Sequence, residues 1–212
     1  MALSSSASLS ACTSDLLQAE RKAQARSTRS SRAVCSTSRS ACSKSLVHAD
    51  SEAELLSAIC GHLVELGGYR VAWVGYARDD EARSVEVAAH AGTDADYING
   101  LQLSWGSDVH KQGGFGTAIH QNRTLTTTQL ASDLVFTCWR ELTPPHGLAS
   151  ALAMPLSAED GATPFGVLGI YSERARAFED EELQLLHDLA DDLAFGIASR
   201  RQAGQRLSLI HI

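Results

Sequence analysis

Side chains that could carry chemistry are dispersed along this chain. His90, His110, His120 and His146 have no metal-ligand spacing such as HxxxH, so we expect no metal site. No Gly-x-Ser-x-Gly elbow is present, and nothing marks a nucleophile with a base beside it, so we expect no catalytic residues. A haem needs only one axial histidine, which leaves that cofactor open.

The five cysteines are an odd number without a CxxC pair, which argues against a disulfide framework and a zinc site. A reducing, cytoplasmic location is therefore expected. Three of the five precede residue 46, and only Cys60 and Cys138 fall inside the expected fold. We predict Cys60 on the buried face of the first helix, and Cys138 as a buried, inert thiol in a pocket wall.

The large aromatic residues are the other candidates for a site. For Trp73 and Phe115, core filling is the ordinary role, because each aromatic side chain buries a large area. Trp105 and Trp139 lie in an irregular stretch where contact with a ligand is the alternative. The run 113–116 (GGFG) could present amides to an anion, but it lacks the lysine and the parallel strand of a phosphate loop.

The first half of the chain predicts a helix followed by a hairpin. A helix over 51–66 begins at Ser51, with Glu54 three residues later in a capping box, and ends at 67–68 (GG). The segments 69–76 (YRVAWVGY) and 84–91 predict two antiparallel strands, the first of them apolar on both faces.

The second half predicts another hairpin and a long helix. After an irregular middle segment, with an edge strand over 124–127 and helical turns over 136–142, strands are expected at 150–156 and 165–171. The last helix starts after Phe178 with four acids, which suit the positive end of its dipole. Apolar residues then recur at steps of three and four, as in a coiled-coil seam that we expect to form the signalling or dimer surface: Leu183, Leu186, Ala190, Leu193, Ile197.

The net charge of −7 over 212 residues conceals two unlike parts. Residues 1–45 hold seven Lys or Arg and two acids, whereas 46–212 hold eleven basic and twenty-three acidic residues. An acidic body repels a phosphate backbone, so nucleic-acid binding is not expected. No apolar run approaches the roughly 20 residues that span a bilayer.

Both ends of the chain differ from its body. Residues 1–45 form a Ser/Arg-rich leader, and two interpretations are open: a disordered segment or a mis-translated start. The residues 202–212 are expected to be a truncated tail. Within that tail 207–212 (LSLIHI) match the translation of a transposon mosaic end used for sequencing libraries, so we interpret them as an adapter scar.

These segments in this order resemble the GAF domains of bacterial signalling proteins. The resemblance covers about 155 residues, from 46 to 201, and rests on five segments: GGYRVAWVGYA (67–77), WGSDVHKQGGFGTAI (105–119), WREL…GLASALAMPL (139–156), PFGVLGIYSERARAFEDEELQLL (164–186) and DLADDLAFGI (188–197). It implies an α+β fold with an antiparallel sheet of five or six strands. Terminal helices would pack on one face, and an irregular helical insertion would roof a ligand pocket on the other.

The resemblance also implies a function. We expect a sensory input module of a multidomain bacterial protein that binds an unknown small molecule and relays a change through its terminal helices, as a homodimer, to an effector absent from this chain. The candidate ligand-binding residues are Trp73, Trp105, Phe115, Thr117, Trp139 and Ser150. The alternatives are a ligand-free dimerisation spacer and a chromophore or haem sensor.

The resemblance bears on cofactors and catalysis as well. Trp139, not histidine, follows Cys138, so no covalently bound bilin is expected. Some GAF domains reduce free methionine sulfoxide with several nearby cysteines. With Cys60 and Cys138 well separated in sequence, we expect a binding module and not an enzyme.

Overall fold

The structure is a computed structural model that describes residues 37–92, 98, 103–106, 109–130, 132–133, 147–158 and 162–210; for 109–112 and 204–210 it describes the backbone alone. The elements in chain order are α1 (37–48), α2 (Glu52–Glu65), β1 (Val71–Ala77), β2 (Val85–Gly92), α3 (Val109–Gln121), β3 (Leu125–Thr127), β4 (Ser150–Leu156), β5 (Gly166–Ser172) and α4 (Asp180–Ile210). The helical turns predicted over 136–142 lie outside the described residues.

The five strands form one antiparallel sheet in the order β2-β1-β5-β4-β3. The prediction of an α+β fold with two hairpins is confirmed, and β3 is the edge strand that the sequence predicts. The strands β1 and β5 are central and lie side by side, so they bring the two halves of the chain together.

Both faces of the sheet are covered, and alternate residues of the strands β1, β4 and β5 divide between them. Ala72, Val74, Leu168 and Ile170 face a core formed with α1, α2 and α4. Val71, Trp73, Val167 and Tyr171 face a second core formed with α3. The continuous apolar character of β1 and β5 follows from this double burial.

The start of α2 differs from the predicted capping box in one bond. Ser51 is the N-cap, and its hydroxyl accepts from the Glu54 amide at 3.1 Å. The Glu54 carboxylate accepts from the Asp50 amide at 2.9 Å, one residue before the N-cap. The helix is still capped reciprocally, because each side chain satisfies one backbone donor at its start.

The helix α1 overlaps the segment that the sequence analysis treats as a leader. Within α1, which the structure describes over 37–48, Ser38 and Cys42 are buried. The Ser38 hydroxyl donates to the His62 carbonyl at 3.1 Å, and Cys42 belongs to the core under α2 and α4. These small residues let α1 pack closely against the rest of the fold.

At the other end α4 continues to Ile210, beyond the predicted end near Arg201. Among the described residues, no helix combines the length and the apolar character needed to span a bilayer.

Substitution of Gly169 by Ala tests how tightly the α3-covered face is packed. A Cβ at Gly169 would lie 2.2 Å from Nε1 of Trp73 and 2.7 Å from Cε1 of Phe115, so we expect a loss of about 1–3 kcal/mol in the free energy of unfolding. Gly61→Ala in α2 is the control, since no heavy atom lies within 4 Å of its added Cβ and alanine favours a helix. Urea denaturation measures both, and a Gly169→Ala protein as stable as the wild type would contradict this packing.

Candidate ligand site and output helix

Three aromatic rings pack together on the face of the sheet that α3 covers. Trp73 comes from β1, Tyr171 from β5 and Phe115 from α3, and all three are fully buried. The centroid of Phe115 lies 4.9 Å from that of Trp73 and 5.6 Å from that of Tyr171, with tilts of 58° and 55°. Phe115 enters this cluster just after Gly113, whose φ of 50° interrupts α3 and turns the chain into its second part.

One polar atom in this cluster is buried without a partner. The indole Nε1 of Trp73 is inaccessible to solvent, and no described residue provides a hydrogen-bond acceptor for it. An unsatisfied buried donor costs roughly 1–3 kcal/mol, and native proteins contain few of them. The donor lies over Gly169 and beside Phe115, on the side where the resemblance implies a ligand pocket.

The remaining candidate ligand residues have different surroundings. Thr117 is half-buried on α3, two residues after Phe115. The buried Ser150 hydroxyl donates to the Arg174 carbonyl at 2.7 Å, so this hydroxyl fastens β4 to the segment before α4. Trp139 lies outside the described residues.

Trp105 is half-buried against the core that contains the aromatic cluster, and it also contacts the tip of the β1–β2 hairpin. Its indole N–H donates to the Arg78 carbonyl at 2.9 Å, and the Arg83 guanidinium lies 4.6 Å from its ring centroid. The two tryptophans differ in their hydrogen bonding, because the N–H of Trp105 has an acceptor and that of Trp73 has none among the described residues.

Two cysteines lie together in the core beneath the terminal helices. Cys60 is on the buried face of α2 as predicted, and Cys42 of α1 is also fully buried. Burial, with Cys42 adding to it, raises the pKa of the Cys60 thiol to about 12. The thiolate is the reactive form of cysteine, so both burial and protonation keep Cys60 inert.

The coiled-coil-like spacing of α4 marks the surface that packs on its own sheet. Leu186, Ala190, Leu193 and Ile197 are at most 3% exposed within this chain, and Leu183 packs against the same core. These five side chains therefore fill the core of one molecule, and a dimer through α4 would have to use other positions.

Two consecutive arginines attach α4 to the start of the fold. Arg200 donates to the Leu46 carbonyl at 2.8 Å and to the Ala49 carbonyl at 3.2 Å, at the C-terminal end of α1. Arg201 holds the Glu52 carboxylate with both Nη2, at 2.7 Å, and Nε, at 3.0 Å.

The Arg201 contact extends to the sheet. Its guanidinium lies 4.4 Å from the ring centroid of Tyr76 in β1 and 5.3 Å from that of Phe165. The Tyr76 hydroxyl donates to the same Glu52 carboxylate at 2.5 Å. We call Arg201, Glu52 and Tyr76 the arginine clamp; it connects α4, α2 and β1 in one contact.

Comparisons with known proteins agree with this architecture. A family model described as GAF domain matches residues 49–198, most of the chain. The chain belongs to the GAF family. GAF domains are a common sensory and regulatory module, and the sequence resemblance is thereby confirmed at the level of the family. A search of curated proteins gives no match.

Several solved structures are similar to this fold. The GAF domain of a phosphoenolpyruvate-protein phosphotransferase from Coxiella burnetii has a TM-score of 0.68 at 18% identity, covering 82% of this chain and 98% of its own. The nlh2 GAF domain of A. aeolicus, in an inactive state, has a TM-score of 0.61 at 17% identity, covering 80% and 99%. A free methionine-R-sulfoxide reductase from Neisseria meningitidis, in complex with its substrate, has a TM-score of 0.61 at 20% identity, covering 82% and 91%.

The expectation that this chain is not an enzyme is corrected by these comparisons. Free methionine-R-sulfoxide reductases from three organisms are among the similar structures, so enzymes share this fold. At 20% identity or less the likeness shows the fold alone, and the fold does not separate binding modules from catalysts. The expectation also counted too few cysteines in the fold, because it left out Cys42.

Acid should weaken the arginine clamp. The hydrogen bond from Arg201 holds the pKa of Glu52 below its ordinary value, with help from the Tyr76 hydroxyl and against the effect of burial. A lowered folded pKa contributes stability above the unfolded pKa, and this contribution is lost as the pH falls through the folded pKa.

We therefore expect Glu52→Gln to lower the free energy of unfolding by about 1–2 kcal/mol at pH 7, with a smaller difference near pH 3. Glu65→Gln, at an exposed position of the same helix, is the control and should change stability little at either pH. Urea denaturation as a function of pH measures both, and a difference that does not shrink in acid would contradict the clamp.

Proposed function

We propose that this GAF domain is a regulatory input module that binds a small molecule on the α3-covered face of its sheet and passes the resulting change to α4. The observation that supports this most directly is the buried, unpartnered indole N–H of Trp73. A ligand with a hydrogen-bond acceptor would satisfy this donor, and the rings of Phe115 and Tyr171 would supply apolar contact.

The strand β1 offers a direct path from this site to α4. Trp73 faces the aromatic cluster, and Tyr76, three residues later, packs on the opposite face and belongs to the arginine clamp. A ligand that moves Trp73 would displace β1 and so bias the contact of Tyr76 with Arg201. Such a relay requires two states of the clamp, and the ligand would favour one of them.

Substitution of Trp73 tests the ligand site. Trp73→Phe keeps an aromatic ring but removes the N–H, so we expect at least a tenfold loss in occupancy by the small molecule that copurifies with the protein. Trp105→Phe is the control, because its N–H is already bonded to the Arg78 carbonyl. Native mass spectrometry of protein purified from cells measures occupancy, and an absorption band in the visible would identify a chromophore or haem instead.

Two observations together would contradict ligand binding. If the purified wild type has no added mass, and its Trp73 indole NMR signal does not move when the small-molecule fraction of a cell extract is added, the domain is a ligand-free spacer.

A second part of the proposal is a homodimer through α1 and α4. The two helices run side by side in the same direction: Arg39 pairs with Asp188 at 3.0 Å, Leu46 lies against Gly196, and Arg200 reaches the end of α1. One residue after Leu46 is Val47, and one residue before Gly196 is Phe195. A step of one residue towards the C-terminus on α1 and one towards the N-terminus on α4 rotates the two side chains in opposite senses. Because the helices face each other in parallel, Val47 and Phe195 therefore project to the same side of the helix pair.

This surface suits a second copy of the chain. Val47 is 76% exposed and Phe195 70%, so two large apolar side chains face solvent together. The helix α1 contributes Lys44, whereas α4 contributes Asp191 and Asp192. A two-fold axis along the helices would place α1 of each copy beside α4 of the other, so basic would face acidic.

Introducing a negative charge into the dimer surface tests this part of the proposal. We expect Phe195→Glu to raise the dimer dissociation constant at least tenfold, because it buries a charged carboxylate at an apolar position of the interface. Ala82→Glu, an exposed position on the β1–β2 turn, adds the same charge elsewhere and should have no effect. Sedimentation velocity measures the change, and a wild type that is monomeric at high concentration would contradict the dimer.

A further inference from the structure

A groove of about 620 Å³ lies on the other side of the sheet from the aromatic cluster, between α4 and the turn that joins α3 to β3. The turn contributes Arg123, β4 contributes Met154 and Pro155, and α4 contributes His187, Ala190 and Asp191. Pockets of roughly 300–1,000 Å³ accommodate small ligands. This groove is separate from the site of Trp73, because Met154 and Ala190 belong to the core beneath the terminal helices.

The wall of the groove formed by the turn is held in place by its backbone. Asn122 has a φ of 46°, its amide donates to the Ile119 carbonyl at 3.2 Å, and the Arg123 amide donates to the Ala118 carbonyl at 3.1 Å. This pair of bonds is a Schellman motif with asparagine at the left-handed position.

The Asn122 side chain also ties this wall to the β4–β5 hairpin. Its Nδ2 donates to the Ala162 carbonyl at 3.1 Å, and its Oδ1 accepts from the Ser157 hydroxyl at 3.2 Å. The backbone that carries Arg123 is thus held by the Schellman motif and by the Asn122 side chain. A ligand would lose little free energy in ordering this backbone on binding.

The groove carries one charge of each sign on facing walls. Arg123 donates from Nη2 to the Gln121 side chain at 3.1 Å, which leaves its other guanidinium donors for an anion. Asp191, on α4, has no ion-pair partner within the part of the chain that the structure describes. The groove is also lined by Met154, Pro155 and Ala190, of which Met154 and Ala190 are almost fully buried.

We propose that this groove binds a small zwitterion of about the size of a dipeptide, with its carboxylate on Arg123, its ammonium group on Asp191 and its apolar side chains over Met154 and Pro155. A ligand with a single charge would leave one wall without a partner. The occupant would touch both α4 and the end of α3. It would therefore add a second input to α4 that does not depend on the proposed ligand of Trp73.

The test uses the full chain and alanyl-leucine as the probe, with binding measured by isothermal titration calorimetry. We expect Arg123→Gln and Asp191→Asn each to weaken binding tenfold or more, because each removes a charge-assisted hydrogen bond. Arg176→Gln and Asp180→Asn are the matched controls, since both positions are exposed and neither lines the groove. Both controls should bind as the wild type does.

Two modified probes assign each charge to its wall. Alanyl-leucine amide lacks the carboxylate, so its weaker binding should be insensitive to Arg123→Gln and still sensitive to Asp191→Asn. N-acetyl-alanyl-leucine lacks the ammonium group and should show the reverse. Amide NMR shifts at 187–191 should accompany binding of the unmodified probe.

Three results would overturn the proposal: no binding of alanyl-leucine at millimolar concentration, equal losses in the control variants, or loss of binding in Trp73→Phe with none in Arg123→Gln. The last result would place the peptide among the aromatic rings instead. None of the three bears on whether a different molecule binds beside Trp73.

Discussion

The packing of Trp73 against Gly169 is the constraint on which the α3-covered face depends. The two residues are direct partners in the register of β1 and β5, the central strands of the sheet. Because glycine has no side chain, the indole can lie across β5, and Phe115 and Tyr171 then close around it. A side chain at position 169 would remove the space that the whole cluster occupies. The same packing leaves the indole N–H without an acceptor. Among the described side chains, it is the one buried polar atom without a hydrogen-bond partner.

The opposite face is organised by polar contacts at the two ends of the part of α4 that packs on the fold. Near its start, Glu182 accepts from the Tyr69 hydroxyl at 2.6 Å and pairs with Arg174 at 3.1 Å. Farther along, Arg200 and Arg201 reach α1 and the arginine clamp. Between these ends α4 packs on the fold mainly through apolar, non-directional contacts, with the Arg39–Asp188 ion pair as an additional polar contact to α1. The polar contacts therefore fix the position of the helix along its axis. A small displacement of β1 would change the arginine clamp first, because Tyr76 of β1 belongs to it.

Membership in the GAF family establishes the scaffold and leaves the chemistry to particular side chains. Similar structures include the GAF domain of a phosphoenolpyruvate-protein phosphotransferase, the nlh2 GAF domain and a free methionine-R-sulfoxide reductase, so the same sheet occurs in an enzyme and in domains of other proteins. In this chain the described cysteines, Cys42 and Cys60, lie beneath the terminal helices, on the side of the sheet away from Trp73. Among the described residues, the α3-covered face is characterised by its aromatic rings and by the indole donor of Trp73.

Much of the fold can be predicted from local signals, because those signals act over a few residues. Ser51 and Glu54 mark the start of α2, the acids after Phe178 mark the start of α4, and the doubly apolar segments mark the central strands. The composition predicts only a turn or two of helix near 41–49, and the earlier part of α1 is not predicted because its buried positions are Ser38 and Cys42, which no hydrophobicity pattern singles out.

The sequence by itself determined the order of helices and strands and the family, because capping, periodicity and strand composition are local properties. Only the tertiary structure decided what each surface faces. The spacing from Leu183 to Ile197 is the same for a helix packed on its own sheet as for one in a coiled coil, and the partner is set by contacts distant in sequence. Likewise the sequence lists Trp73 and Trp105 together as candidate ligand residues, but the Trp105 N–H donates to a carbonyl of the hairpin, whereas the Trp73 N–H has no acceptor among the described residues. A hydrogen bond depends on where two distant segments come together, and that is a property of the folded chain.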